Sequence, residues 1–140
     1  MPEIMNFLSN HPLMTNIMLA VFILLVAIEL WRLKRREQSL SPQAVIQMIN
    51  HQQAVLIDIR SPDAFQQGHI ISALSMPPKD LQPTPKTLEK NKNKPFIFID
   101  NSGMDASKIA LIFKKQGYQA HTLKGGMRAW VDAGMPIVRK

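Results

Sequence analysis

The chain contains no cysteine. Disulfides, thiolate metal sites and thiol nucleophiles are therefore all excluded. Aromatic residues are scarce, at 6%, and charged residues make up only 19%, against 46% apolar residues. That balance argues against wholesale disorder. Acidic residues are the minority sign, 10 against 17 Lys and Arg, which leaves a formal net charge of +7. A pI near 10 would suit nucleic acid, but the basic residues are spread along the chain and the few aromatics leave little for base stacking. No nucleic-acid partner is expected. Glycine is missing from the first forty residues, and charge is missing from Pro12 to Ile28. The 140 residues allow one domain of roughly 100 residues and an appendage.

The charge-free stretch is the appendage. Residues 17–28 read IMLAVFILLVAI, with no polar side chain on any helical face. Extended through Leu33, the run is about 22 residues, or about 33 Å as a helix, close to the hydrocarbon thickness of a bilayer. Glu29 sits near one end, one turn from Arg32, and Trp31 suits an interfacial anchor. A cleaved signal peptide fits poorly, because no Lys or Arg precedes the run and no small-x-small site follows it. Arg32, Lys34, Arg35 and Arg36 flank the C-terminal side, while residues 1–11 carry no Lys or Arg. By the positive-inside rule these four residues determine topology, with the N-terminus outside and the rest cytoplasmic. The resulting division is a short tail over 1–11, a single membrane span over 12–33, a basic and polar linker over 34–40, and a folded domain over 41–140.

Within that domain, helices and strands alternate. Ser41-Pro42 reads as an N-cap with proline at the first helical position, and Ala44, Val45, Met48 and Ile49 share one face. AVLIDI over 54–59 suits a buried strand, and Ser61–Gln67 a short helix stopped by Gly68. Ala73–Met76 reads as a second strand. The proline- and lysine-rich stretch 77–94 reads as loop with a brief helix at Lys86–Lys90. FIFI at 96–99 is the strongest strand signal. Ala106, Ile109, Ala110 and Phe113 then mark a helix that Gly117 ends, Ala120–Leu123 a further strand, and Met127–Ala133 a last helix. This order predicts an α/β fold with a mainly parallel sheet covered by helices on both faces.

The residues Leu56-Ile57-Asp58-Ile59-Arg60, Phe65, Gly68-His69-Ile70, Ala73 and Pro77 resemble the first signature of the rhodanese-like family. Leu123, Gly125-Gly126, Ala129-Trp130 and Ala133-Gly134-Met135-Pro136 resemble its C-terminal signature. The resemblance covers roughly residues 40–138. The whole layout, an N-terminal anchor and one such domain, resembles membrane-anchored single-domain bacterial proteins of that family. It implies a sheet of about five mainly parallel strands and a location at the bacterial plasma (inner) membrane.

The family's chemistry, on this resemblance, lies in a C-x-x-G-x-R loop whose cysteine carries a sulfane sulfur. Here the loop is Asp100, Asn101, Ser102, Gly103, Met104 and Asp105. The glycine is kept, but Asp100 takes the cysteine position and Asp105 the arginine position. A carboxylate cannot become a persulfide, and Asp105 changes the local charge by two units against an anionic substrate. Asp100 can instead accept hydrogen bonds from the loop N–H groups, as an N-cap does. The loop is thus expected to be catalytically silent. Aspartyl-phosphate chemistry at Asp100 would need a metal or other help with the transferred group. A metal site built from Asp58, Asp100 and Asp105 competes with ordinary capping and pairing of carboxylates. No metal and no cofactor is expected.

The resemblance places Asp58, Arg60 and His69 at the pocket rim, with Arg60 alternatively paired to Asp58 or Asp63. His11, His51 and His121 stand far apart in the sequence, without metal-ligand spacing. Trp130 reads as core packing, and the lysines at 79, 86, 90, 92 and 94 as a solvated loop. The expected function is that of a protein-binding adaptor serving membrane-associated partners. A cysteine-free sulfurtransferase or related phosphatase is the alternative, and an empty anion-sensing cradle a third possibility.

Overall fold

A computed structural model describes residues 1–82 and 84–139, without the side chains of 35–37. The expected topology determinants Arg35 and Arg36, as side chains, and the terminal Lys140 lie outside the described residues. The chain forms two units, Met1–Arg36 and Glu37–Lys140.

The first unit is helical. α1 (Pro2–Asn10) begins with proline at its first position and is followed by α2 (Pro12–Gln38), which passes into the second unit. Thr15 Oγ1 donates to the carbonyl oxygens of His11 at 3.0 Å and Leu8 at 3.3 Å. The Phe7 and His11 rings lie 5.0 Å apart. Residues Pro12–Lys34 are long and apolar enough to cross a membrane, and their most apolar stretch is not buried. Glu29 and Arg32 form the expected pair across one turn, at 3.9 Å, with both side chains exposed. Residues 2–10, read from sequence only as a tail, are thus helical.

A second correction concerns residues 34–40. The boundary between the two units falls within them, but they are regular structure rather than irregular chain. The helix continues to Gln38, and Ser39–Leu40 form strand β1. Ser39 pairs with Thr122 and Leu40 with Leu123, while Lys124 N–H donates to the Leu40 carbonyl at 2.8 Å. Leu40 also packs on the apolar core. Pairing with a distant strand, rather than local composition, makes this segment ordered.

The remaining elements are α3 (Pro42–Gln52), β2 (Val55–Asp58), α4 (Pro62–Gln67), β3 (Leu74–Ser75), α5 (Lys86–Lys90), β4 (Phe96–Ile99), α6 (Met104–Lys115), β5 (Ala120–Leu123) and α7 (Gly126–Asp132). Serine hydroxyls cap α3 and α4: Ser41 Oγ accepts from Ala44 N–H at 3.2 Å and Ser61 Oγ from Ala64 N–H at 3.3 Å. Both helices have proline at the start, where a missing N–H costs nothing. The five strands form one parallel sheet in the order β1-β5-β4-β2-β3.

The FIFI run explains why β4 lies in the middle. A parallel sheet covered on both faces needs apolar residues on both sides of its central strand. Phe96 and Phe98 point into a core with Phe113 and Tyr118, whereas Ile97 and Ile99 join Val45, Met127 and Trp130 on the other face. The Phe98 and Phe113 rings lie 5.0 Å apart, and those of Phe113 and Tyr118 5.3 Å. This packing delivers the residue after Ile99 to the C-terminal edge of the sheet, where α/β folds place their sites.

Candidate functional site

That residue is Asp100, which is only 5% exposed. Its Oδ1 accepts a hydrogen bond from Gly103 N–H. Its Oδ2 accepts from Asp105 N–H at 2.9 Å and Ala106 N–H at 3.2 Å. The α6 N-cap, Gly103, supplies no side chain. Asp100 therefore caps the helix from three residues upstream, placing negative charge at the positive end of its dipole. Such an arrangement contributes about 0.5–2 kcal/mol.

Two glycines permit this geometry. Gly103 has φ +92°, a left-handed conformation that turns the loop back over the helix end. Gly126, at φ +63°, lies against the loop: a Cβ there would fall 2.5 Å from the Asn101 carbonyl carbon and 2.6 Å from its oxygen. From the start of α7, Met127 N–H donates to the Asp100 carbonyl at 2.8 Å and Arg128 N–H to that of Asn101 at 3.3 Å. The paired glycines of the C-terminal motif thus hold the 100–105 loop in place. Asn101, Ser102, Met104 and Asp105 are exposed, Met104 most of all at 74%.

A cleft of 370 Å³ opens beside the loop, lined among others by Arg60, Ser61, Asp100, Asn101, Asp105 and Lys108. Arg60 does reach the rim, but its guanidinium is engaged. Nε lies 2.9 Å and 3.1 Å from the two Asp58 carboxylate oxygens, and Nη2 lies 2.7 Å from both Asp58 Oδ2 and the Gly68 carbonyl. Asp58 also accepts Arg60 N–H at 3.0 Å. With the two side chains 0% and 9% exposed, this is a buried bidentate pair. It settles the choice between Asp58 and Asp63 in favour of Asp58.

Asp58 and His69 do not line the cleft as the rim assignment expected. Asp58 is used up by Arg60. His69 is 5% exposed, its Nδ1 lies 2.8 Å from the Phe65 carbonyl oxygen, and its ring stacks on Phe65 at 3.7 Å. Its backbone exchanges hydrogen bonds with Val138 at 2.9 Å and 2.8 Å. This histidine is a structural clasp between the segment after α4 and the C-terminus.

Ser61, read from the sequence only as the start of a short helix, and Lys108, not singled out there, both line the cleft. Lys108 follows Asp105 by three residues on α6, and that helical spacing was a readable signal. Among the described residues, no group of three His, Asp or Glu is placed to hold a metal ion. Nor does any buried side-chain nitrogen or oxygen there lack a hydrogen-bond partner. The Asp100 carboxylate is held by donors on both oxygens, which makes it a weak nucleophile. The N–H groups of Gly103, Asp105 and Ala106 are themselves occupied.

Residues 41–133 match the rhodanese-like domain family. Over 141 residues the chain is 30% identical to the uncharacterized protein YibN of Escherichia coli K12, covering 99% of each chain. It is 26% identical over 89 residues to a thiosulfate sulfurtransferase, GlpE, of Pseudoalteromonas translucida, covering 63% of this chain and 83% of the relative. A rhodanese-related protein of Thermoplasma volcanium superposes with a TM-score of 0.66 at 21% identity, over 74% of this chain and 99% of that one.

Proposed function

The chain belongs to the rhodanese-like domain family, and from that premise we propose that it is a non-catalytic member. In this reading it acts as a protein-binding adaptor at the cytoplasmic face of the bacterial plasma membrane. The observation that carries the proposal is the state of the loop. The Asp100 carboxylate accepts from the Gly103, Asp105 and Ala106 N–H groups, filling the cradle where an anionic sulfur would be stabilised. No cysteine anywhere in the chain is available to carry sulfur. Likeness to a sulfurtransferase supports the fold and ancestry; the residue that would perform the transfer is replaced.

The apolar helix supports the location. Its length and composition suit a single membrane span, and the basic residues on its C-terminal side favour a cytoplasmic domain. Tethering to the membrane plane raises the effective concentration of a binding domain for membrane-associated partners. That advantage serves an adaptor better than a metabolic enzyme acting on a freely diffusing small anion.

Turnover tests the proposal. The full-length chain in detergent is assayed for sulfur transfer from thiosulfate to cyanide and for aryl phosphate hydrolysis. No rate above the uncatalysed background is expected. Turnover by the wild type that disappears in Asp100→Ala would overturn the proposal in favour of a cysteine-free enzyme. In cells, photo-crosslinks from the domain should capture a discrete membrane-associated protein, and deletion of residues 12–33 should abolish that capture.

A further inference from the structure

Away from the loop, α3, the start of β2, residues 70–74 and the region around Trp130 and Pro136 enclose a groove of 560 Å³. That size lies within the about 300–1,000 Å³ of clefts that take ligands. Ile46, Ile49, Ile71, Leu74, Trp130 and Pro136 provide apolar wall. Ile71 is 61% exposed and adds apolar surface at the edge of this concave wall. It precedes Ser72, which adopts φ +66° without being glycine.

The charge on the groove's lining is positive. Among the described residues that line it, Lys94 is the only charged one. Exposed Lys90 and Lys92 lie just upstream of Lys94, and Glu89 is the one acid in that stretch. Lys92 Nζ lies 5.3 Å from the centre of the Tyr118 ring, and a Cβ at Gly117 would lie 3.8 Å from it. This brings it close to the end of α6, which carries exposed Lys114 and Lys115. Those lysines and Tyr118 lie towards the sheet face opposite the groove, so the charge at the groove itself comes from Lys94 and the lysines next to it in sequence.

We propose that the groove and the adjoining lysines dock an acidic segment of a partner protein, with a bulky apolar side chain seated in the groove and carboxylates on the Lys90–Lys94 side. The inference rests on the adaptor reading and names the class of partner. The positive charge supplies the complementarity that selects and steers an acidic partner. The apolar walls provide an anchor pocket of the kind that dominates binding energy. A peptide fits better than a bilayer surface, because the apolar part is concave. The amides of Asn50 and Gln53 at its lining also suit a peptide backbone.

The test uses the full chain in phosphatidylcholine nanodiscs, with Trp31→Phe so that Trp130 is the only indole. Peptides are selected from a random displayed library, and the enriched sequences are synthesised alongside counterparts in which every Asp and Glu is replaced by Lys. Enriched peptides should combine an aliphatic or aromatic anchor with flanking acids, shift Trp130 emission, and weaken at high salt. Ile71→Ser and Lys94→Glu should each weaken them about tenfold, and the Lys counterparts should not bind. Ile71 is exposed and Lys94 half-buried; unchanged Trp130 emission without peptide checks that the fold persists, and Lys90→Glu, at an exposed position, gives a second charge reversal.

Enrichment of peptides without acids, or no enrichment at all, would overturn the inference. So would acidic peptides that are indifferent to Ile71→Ser and Lys94→Glu; these would move the docking site elsewhere and leave the adaptor reading standing. An emission shift on moving to phosphatidylglycerol nanodiscs that is lost in Lys94→Glu, with no peptide bound, would assign the surface to lipid and also overturn it. Failure of the adaptor reading itself is seen separately, as Asp100-dependent turnover.

Discussion

Replacing Asp100 by alanine should destabilise the domain and, in the same step, open a site for an anion. The carboxylate accepts three N–H groups, and of those donors Ala106 is buried and Gly103 half-buried. Loss of a side-chain cap costs about 0.5–2 kcal/mol, and a buried N–H left without a partner about 1–3 kcal/mol. Because these effects overlap, the expected cost is about 2–3 kcal/mol. For a domain of about 100 residues this lowers the unfolding midpoint by roughly 10–20 °C. Asp100→Asn keeps an acceptor but loses the charge, and should fall between. The assay is thermal unfolding of the full chain in detergent, followed through buried Trp130 in a Trp31→Phe background. Sulfate should then restore part of the loss in Asp100→Ala, about 1.4 kcal/mol at ten times its dissociation constant. Sulfate also stabilises folded proteins generally, so the informative quantity is the extra gain over the wild type. A midpoint within about 2 °C of wild type, or equal gains from sulfate in both proteins, would refute the argument that Asp100 fills the cradle.

Gly126→Ala should cost about 1–3 kcal/mol or more, because its Cβ would meet the Asn101 carbonyl as well as adopting φ +63°. Gly134→Ala has φ +71° but nothing within 4 Å, so only the left-handed conformation, about 1–2 kcal/mol, should count; chemical denaturation compares the two. Removing Arg60 as Arg60→Met leaves Asp58 buried and unpaired, and should cost about 3–5 kcal/mol in the same experiment. A reporter fused after Arg139 should be active on the cytoplasmic side, and changing Arg32, Lys34, Arg35 and Arg36 together to Gln should mix the two orientations; an unchanged, uniform orientation would remove the topological role from those four residues.

Elements with strong local signals were readable in advance. FIFI, the serine-proline caps at Ser41 and Ser61, and the apolar face ending at Phe113 each carry their own structural reason, so β4, α3, α4 and α6 follow from local chemistry. β1 was not readable, since two residues acquire strand character only by pairing with Thr122 and Leu123. α1 lacks a side-chain cap, which removes the usual start signal. At the site, the loop and its Asp100 were legible by resemblance, and an accepting role for the carboxylate from chemistry. Which N–H groups it meets depends on the positive φ of Gly103 and the approach of Gly126, both set by tertiary packing. The same holds for Arg60: two aspartates were near in sequence, and only the buried end of β2 selects Asp58. His69 resembled a rim residue because its motif borders the pocket, yet its ring turns to Phe65 instead.

The central claim is that Asp100 occupies the anion position and carries nothing. Its most direct test is the intact mass of the full-length chain, recorded during incubation with thiosulfate and, separately, with an aryl phosphate. The account predicts an unchanged mass throughout; a sulfur-containing or phosphoryl adduct mapped to the Asp100 side chain during turnover would contradict it.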